Sequence, residues 1–297
     1  MHSEHRPLTL GVDEQVHLQG APACSVTDSE RSSLGAASCL VVHCLGPLRV
    51  HVDGRDLGSL SNRRARSVFK YLLLHRGRPT PKERLMDLLW PDAEPASARN
   101  NLNVAVYCLR RVLCSSVASR WVVYRRDGYE LNPEERLRLD LDEFLHLAGV
   151  ARECARRGDR ANELRQLTAA ERIYRGPLFE DDPYEEWTLD HRRQVLDDYV
   201  DVVGRLARHY WDLGDLDSSA AACRTILDVQ CTHESAHRWL MNTYARLGQH
   251  HLVLRQFRIC ADALRTELGL EPSSETLALY RQILEQRGGR VTTLRLT

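Results

Sequence analysis

Residues 97–113 read SARNNLNVAVYCLRRVL, and their side chains divide by type around a helix. Ala98, Leu102, Ala105, Val106, Leu109 and Leu113 recur at helical spacing as one apolar stripe. The opposite face carries Asn100, Asn103, Val104, Tyr107 and Arg111. That menu matches what reads base edges in the major groove of DNA. Asparagine pairs bidentately with adenine, arginine with guanine, and a small apolar group meets the thymine methyl. An outward valine gains nothing in water, so Val104 asks either for a groove or for packing against the domain that follows. Arg63, Arg64, Arg66, Lys82, Arg99 and Arg110 suit phosphate contacts, which fix register and supply salt-dependent affinity without reading sequence. Taken singly, each could equally be a solvated surface charge. Arg125 and Arg126 stand beside an Asp-Gly turn, where a hairpin tip could enter a narrow minor groove or simply keep the turn soluble.

Charge distribution agrees with an anionic partner for this half of the chain. The 297 residues balance 41 basic against 41 acidic side chains. Residues 45–133, however, hold 16 basic against 8 acidic, whereas residues 134–297 hold 23 against 28. A basic segment beside an acidic one points to nucleic acid for the first.

The elements that must position these residues are legible in order. CLVVHCLGPLRVHVDG alternates and is β-branched, predicting strands closed by a turn at Asp53-Gly54. NRRARSVFKYLLLHRG places Ala65, Val68, Phe69, Leu72 and Leu73 on one helical face and ends at Gly77. TPKERLMDLLWP predicts a short helix with a capping box, Thr80 at the N-cap, Pro81 at the first position and Glu83 reaching back. The helix of the opening lines comes third, and WVVYRRDGYEL predicts a hairpin turning at Asp127-Gly128. Strands, three helices and a hairpin make a winged helix-turn-helix.

LGPLRVHVDG, LLWPDAEPASARNNLNVAVYCLRRVL and DGYEL resemble, in order and spacing, the OmpR-type winged helix of the SARP (AfsR-type) family of bacterial transcriptional activators. From about residue 140 the pattern is helical. Leu206, Tyr210, Leu213, Gly214 and Cys223 recur 34 residues later as Leu240, Tyr244, Leu247, Gly248 and Phe257, the tetratricopeptide period. LDEF at 141, YRGPLFED at 174, YEEW at 184 and LRTELGLEPSSET at 264 resemble the bacterial transcriptional activation domain that follows the winged helix in the same family. The expected fold is mainly α with a small β component. It comprises a disordered tail at 1–38, a winged helix at 39–134, an all-α tetratricopeptide-like domain at 138–287 and a tail at 288–297. The first 44 residues are too few for the receiver domain that usually precedes an OmpR-type winged helix, and the chain reads as a small stand-alone member. The resemblance implies an activator on promoter direct repeats in double-stranded DNA that recruits RNA polymerase holoenzyme. A second protomer would lie head to tail on the same DNA.

Other classes find little support. The nine cysteines form no CxxC pair and the thirteen histidines no HExxH, so neither a zinc site nor a redox motif is expected. There is no Gly-rich phosphate loop, no GxSxG, and no metal-ligand spacing in the acidic cluster Glu180, Asp181, Asp182. The expectation is therefore no enzyme, no cofactor and no membrane partner. A cytoplasmic location follows, with association to the nucleoid when DNA is bound. The competing reading is a tetratricopeptide scaffold or ligand sensor whose winged helix docks protein rather than DNA.

Overall fold

The computed structural model describes residues 39–58, 60–114 and 120–293, with side chains through residue 286. The expected tail at 1–38 lies outside the described residues. Order begins with β1 (Cys39–His43), β2 (Arg49–Val52) and β3 (Arg55–Asp56). Leu40, Val42, Val50 and Val52 point inward, as strand alternation demands. Asp53 and Gly54 both take positive φ, giving the tight turn between β2 and β3.

α1 (Arg63–Leu74) follows, capped by Asn62, whose side chain accepts from the Ala65 amide. β4 (Thr80–Pro81), α2 (Lys82–Leu89) and α3 (Pro95–Leu113) come next. The capping box does not form. Thr80 is buried in strand pairing opposite Tyr129, so its backbone is extended and the cap position falls to Pro81, which has no acceptor side chain. The stripe expected on α3 is the one buried: Ala98, Leu102, Ala105, Val106, Leu109 and Leu113.

β5 (Val122–Arg125) and β6 (Gly128–Leu131) form the wing hairpin, with β4 on the other side of β6. The turn sits one residue earlier than expected. Arg126 and Asp127 take the left-handed conformation, while Gly128 pairs with Arg125 inside the ladder. The reason for glycine at 128 is space: a Cβ there would lie 2.5 Å from the Thr80 carbonyl oxygen. β7 (Arg136–Leu139) then returns to pair parallel with β1, completing a sheet of order β3-β2-β1-β7. This strand falls across the junction that sequence left between 134 and 138, and it runs directly into α4.

The remainder is helical: α4 (Asp140–Arg156), α5 (Arg160–Ile173), a single 3₁₀ turn at Glu186–Thr188, α6 (Leu189–Leu213), α7 (Leu216–Val229), α8 (Glu234–Arg246), α9 (His250–Leu268) and α10 (Ser274–Thr293). Consecutive helices pack as hairpins. Gly214 and Gly248 end α6 and α8 at φ of 80° and 72°, a conformation glycine adopts without a Cβ clash. Leu206, Leu240, Cys223 and Tyr244 are buried, so the 34-residue period marks repeat packing. None of the helices searched among the described residues is long and apolar enough to cross a membrane.

Candidate nucleic-acid interface

α3 is pinned to the core by its apolar stripe, and its other face is open. Asn100, Asn103 and Arg111 are exposed; Val104 is 50% and Tyr107 64% exposed. Val104 therefore does not pack on the domain that follows, and two large apolar side chains share one open face with two amides and a guanidinium. Pro95 at the first helical position and Arg110 and Arg111 in the last turn suit the helix ends.

The basic residues fall into groups with different partners. Arg63 and Arg99 are exposed at the starts of α1 and α3. Arg64 is exposed and its guanidinium lies 5.5 Å from the Trp90 ring centroid. Lys82, half-buried at the start of α2, makes among the described residues only a long contact to Glu83 at 3.8 Å. Arg84 on α2 is also exposed; it escaped the sequence reading, although the same charge count contained it.

Arg110 does something else. Its Nε donates to the Val122 carbonyl at 3.0 Å and its guanidinium lies 5.9 Å from the Tyr129 ring, so it straps the end of α3 to the wing. At the wing, Arg125 pairs with the exposed Glu134 at 2.8 Å, and Arg126 projects from the turn itself. The Arg125 guanidinium is held above its usual pKa by the Glu134 hydrogen bond. An exposed pair of this kind exchanges readily for a phosphate.

Arg66, 17% exposed, is turned to the domain joint. Its Nε and a terminal nitrogen donate to the two carboxylate oxygens of Asp182 at 2.7 and 2.9 Å, and it also reaches the Leu60 carbonyl. A bidentate pair of this kind is strong and specific. It moves Arg66 from the phosphate set to the joint between the two halves of the chain.

Family comparison sharpens what this arrangement is. Residues 60–131 match the family model for the C-terminal domain of transcriptional regulatory proteins, and residues 139–284 match the bacterial transcriptional activator domain. The chain is 27% identical over 252 residues to the transcriptional regulatory protein MoaR1 of Mycobacterium tuberculosis, covering 84% of this chain and 81% of that protein. It is 28% identical over 262 residues to the regulatory protein DnrI of Streptomyces peucetius, covering 84% and 93%. This chain is a SARP-type transcriptional regulator. A solved structure of EmbR from Mycobacterium tuberculosis, in complex with a low-affinity phosphopeptide, shares the fold at a TM-score of 0.69. It is 24% identical, covering 86% of this chain and 71% of that one.

In this SARP-type regulator the two domains are bolted together by the loop between α5 and α6, which carries the YRGPLFED stretch. Phe179 donates its amide to the Cys44 carbonyl at 2.8 Å, Gly46 to Pro177 at 3.0 Å, and Glu180 to Gly46 at 3.1 Å. Lys70, fully buried on α1, places Nζ 2.5 Å from Asp182 and 3.5 Å from Asp181. Burial works to raise the Asp182 carboxyl pKa, but the hydrogen bonds and charges of Arg66 and Lys70 outweigh it and hold the group below the usual range. Ser67 donates to Glu185 at 2.7 Å and Trp187 donates to the same carboxylate at 2.6 Å. On the other side of the joint, buried Asp140 accepts from the amides of Cys44 and Leu45, tying the end of β1 to the start of α4. The acidic cluster is thus a counter-charge for α1. Among the described residues, no group of three or more His, Cys, Asp or Glu is placed to hold a metal ion.

The described cysteines are free thiols. Burial and the neighbouring Asp140 push the Cys44 thiol well above its usual pKa, and burial pushes Cys223 up to about 12 and Cys260 up to about 11. Such thiols carry almost no thiolate near neutral pH and are poor nucleophiles.

Proposed function

We propose that this regulator binds double-stranded DNA in a sequence-specific manner through α3 and activates transcription from there. The observation that carries the reading is the open face of α3, where Val104 and Tyr107 stand exposed among Asn100, Asn103 and Arg111. In a major groove these five residues meet base edges and thymine methyls. Arg63, Arg64, Lys82 and Arg99 meet phosphates on either side, Arg125 and Arg126 approach the minor groove, and Arg110 holds the wing at a set distance from α3.

The activating role extends from the family: the matching domain is described as a bacterial transcriptional activator domain. In this reading the protein binds promoter direct repeats. Repeats about one helical turn (~34–36 Å) apart would seat two protomers head to tail on one DNA face. The helical repeats then offer their surface to RNA polymerase holoenzyme. The protein works in the cytoplasm, on nucleoid DNA, as regulator and not as enzyme.

A salt titration of DNA affinity tests the reading. If about six phosphates are neutralised, affinity falls by about 10³-fold between ~50 and ~200 mM salt, whatever the sequence. A flat response would show that the winged helix docks something other than DNA.

A further inference from the structure

The helical repeats hold a concave site of their own, formed by helices that carry none of the α3 or wing residues. α7, α8 and α9 line an open groove of about 420 Å³, within the ~300–1,000 Å³ range of small-molecule sites. Half-buried Leu227 of α7 and Leu252 of α9, with exposed Ile259 of α9, give it an apolar lining over the buried Leu240 of α8. At the same groove stand two guanidinium groups from different helices, Arg224 of α7 and Arg255 of α9.

Neither arginine has an ion-pair partner among the described residues. Arg224 makes a long hydrogen bond, 3.4 Å, to the Tyr244 hydroxyl oxygen. That phenol is largely buried, and accepting from Arg224 leaves its own proton free to donate. Asp228, one turn after Arg224, is the single carboxylate of the lining and pairs with neither guanidinium. The remaining buried polar groups are already engaged with each other. His237 donates from Nε2 to the Cys231 carbonyl at 2.8 Å and accepts at Nδ1 from Gln256 at 2.6 Å. The free hydrogen-bonding capacity of the site is therefore donor-rich and cationic, set over an apolar wall.

We propose that this groove binds a small amphipathic carboxylic acid, its carboxylate received by Arg224, Arg255 and the Tyr244 hydroxyl and its hydrocarbon laid on Leu227, Leu252 and Ile259. A bare anion would leave Ile259 and the open parts of Leu227 and Leu252 uncovered, and a neutral hydrocarbon would leave two guanidinium groups unmatched. Only a molecule with both parts uses the whole site, because arginine–carboxylate hydrogen bonds are charge-assisted and apolar burial adds to them. The inference does not rest on the DNA reading, since no residue is shared.

Isothermal titration of the full chain with sodium octanoate, 1-octanol and sodium acetate tests it. Octanoate is expected to bind saturably, with octanol and acetate each roughly tenfold or more weaker. The double substitution Arg224→Ala/Arg255→Ala, at exposed positions, is expected to lower octanoate affinity by roughly tenfold or more while leaving the unliganded melting temperature unchanged. Leu252→Asp should abolish octanoate binding with both arginines in place. No saturable octanoate binding, equal binding of octanol or acetate, or an unaltered affinity in the double variant would overturn the proposal.

Discussion

Substituting Asp182 separates the two roles that its carboxylate plays at the domain joint. Lys70 Nζ lies 2.5 Å from Asp182 on a side chain with no solvent exposure, and among the described residues its one other carboxylate is Asp181 at 3.5 Å. Asp182→Ala therefore strands a buried ammonium and also deprives Arg66 of its bidentate partner. Removing one member of a buried pair costs about 3–5 kcal/mol, and Asp181, at 3.5 Å from Lys70 and 3.9 Å from Arg66, is only a longer-range substitute. Lys70→Met is a different perturbation. It removes the buried charge, fills similar volume, and leaves Asp182 with Arg66 at 2.7 and 2.9 Å, so its cost should be only about 0–2 kcal/mol.

Urea unfolding of the full chain at neutral pH measures both. Asp182 is held below the usual carboxylate range in the folded protein. Its contribution is thus complete above the unfolded value of ~3.9 and fades as pH falls through the lower folded value. The deficit of Asp182→Ala should accordingly shrink below about pH 4. An Asp182→Ala protein within about 1 kcal/mol of the parent, or a Lys70→Met protein the more damaged of the two, would refute this account of the joint.

Three further outcomes follow from particular contacts. Gly128→Ala forces a Cβ to within 2.5 Å of the Thr80 carbonyl and should cost about 1–3 kcal/mol in thermal or urea unfolding; an unchanged stability would mean β4 yields freely. Lys82→Ala should weaken binding to all DNA sequences about equally and lower the salt slope by about one, whereas Arg110→Ala should weaken binding with the slope intact. A slope lowered equally by both would return Arg110 to the phosphate set. Because Cys44, Cys223 and Cys260 are buried thiols with raised pKa values, DNA affinity should be equal for reduced and mildly oxidised protein, and a difference would point to another cysteine.

What could be read from sequence, and what could not, divides on the range of the interaction. The α3 stripe and the 34-residue recurrence are local periodicities; the stripe is buried throughout, whereas in the recurrence Leu206, Leu240, Cys223 and Tyr244 are buried and Leu213 and Leu247 stay exposed at the turns. Lys70 was invisible as a functional group because its partner lies 112 residues away. In a helix that also carries Arg63, Arg64 and Arg66, its residue type alone does not set it apart as the buried cation. Arg66 moved for the same reason. At Thr80 a good local capping signal lost to strand pairing with Tyr129, a contact 49 positions along the chain. At the wing, Asp127-Gly128 suggested a turn from residue preference alone. Gly128 was needed instead for the close approach of β4, and Arg126 and Asp127 took the left-handed positions.

The most direct test of the central claim is selection of bound fragments from random DNA, run in parallel with the full chain and its Asn103→Ala variant. The account predicts an enriched motif, present as direct repeats about one helical turn apart, in which Asn103→Ala flattens one position at a cost of about 1–3 kcal/mol and leaves the others standing. No enriched motif with the parent protein, or an identical motif with the variant, would contradict the assignment of α3 as the element that reads the bases.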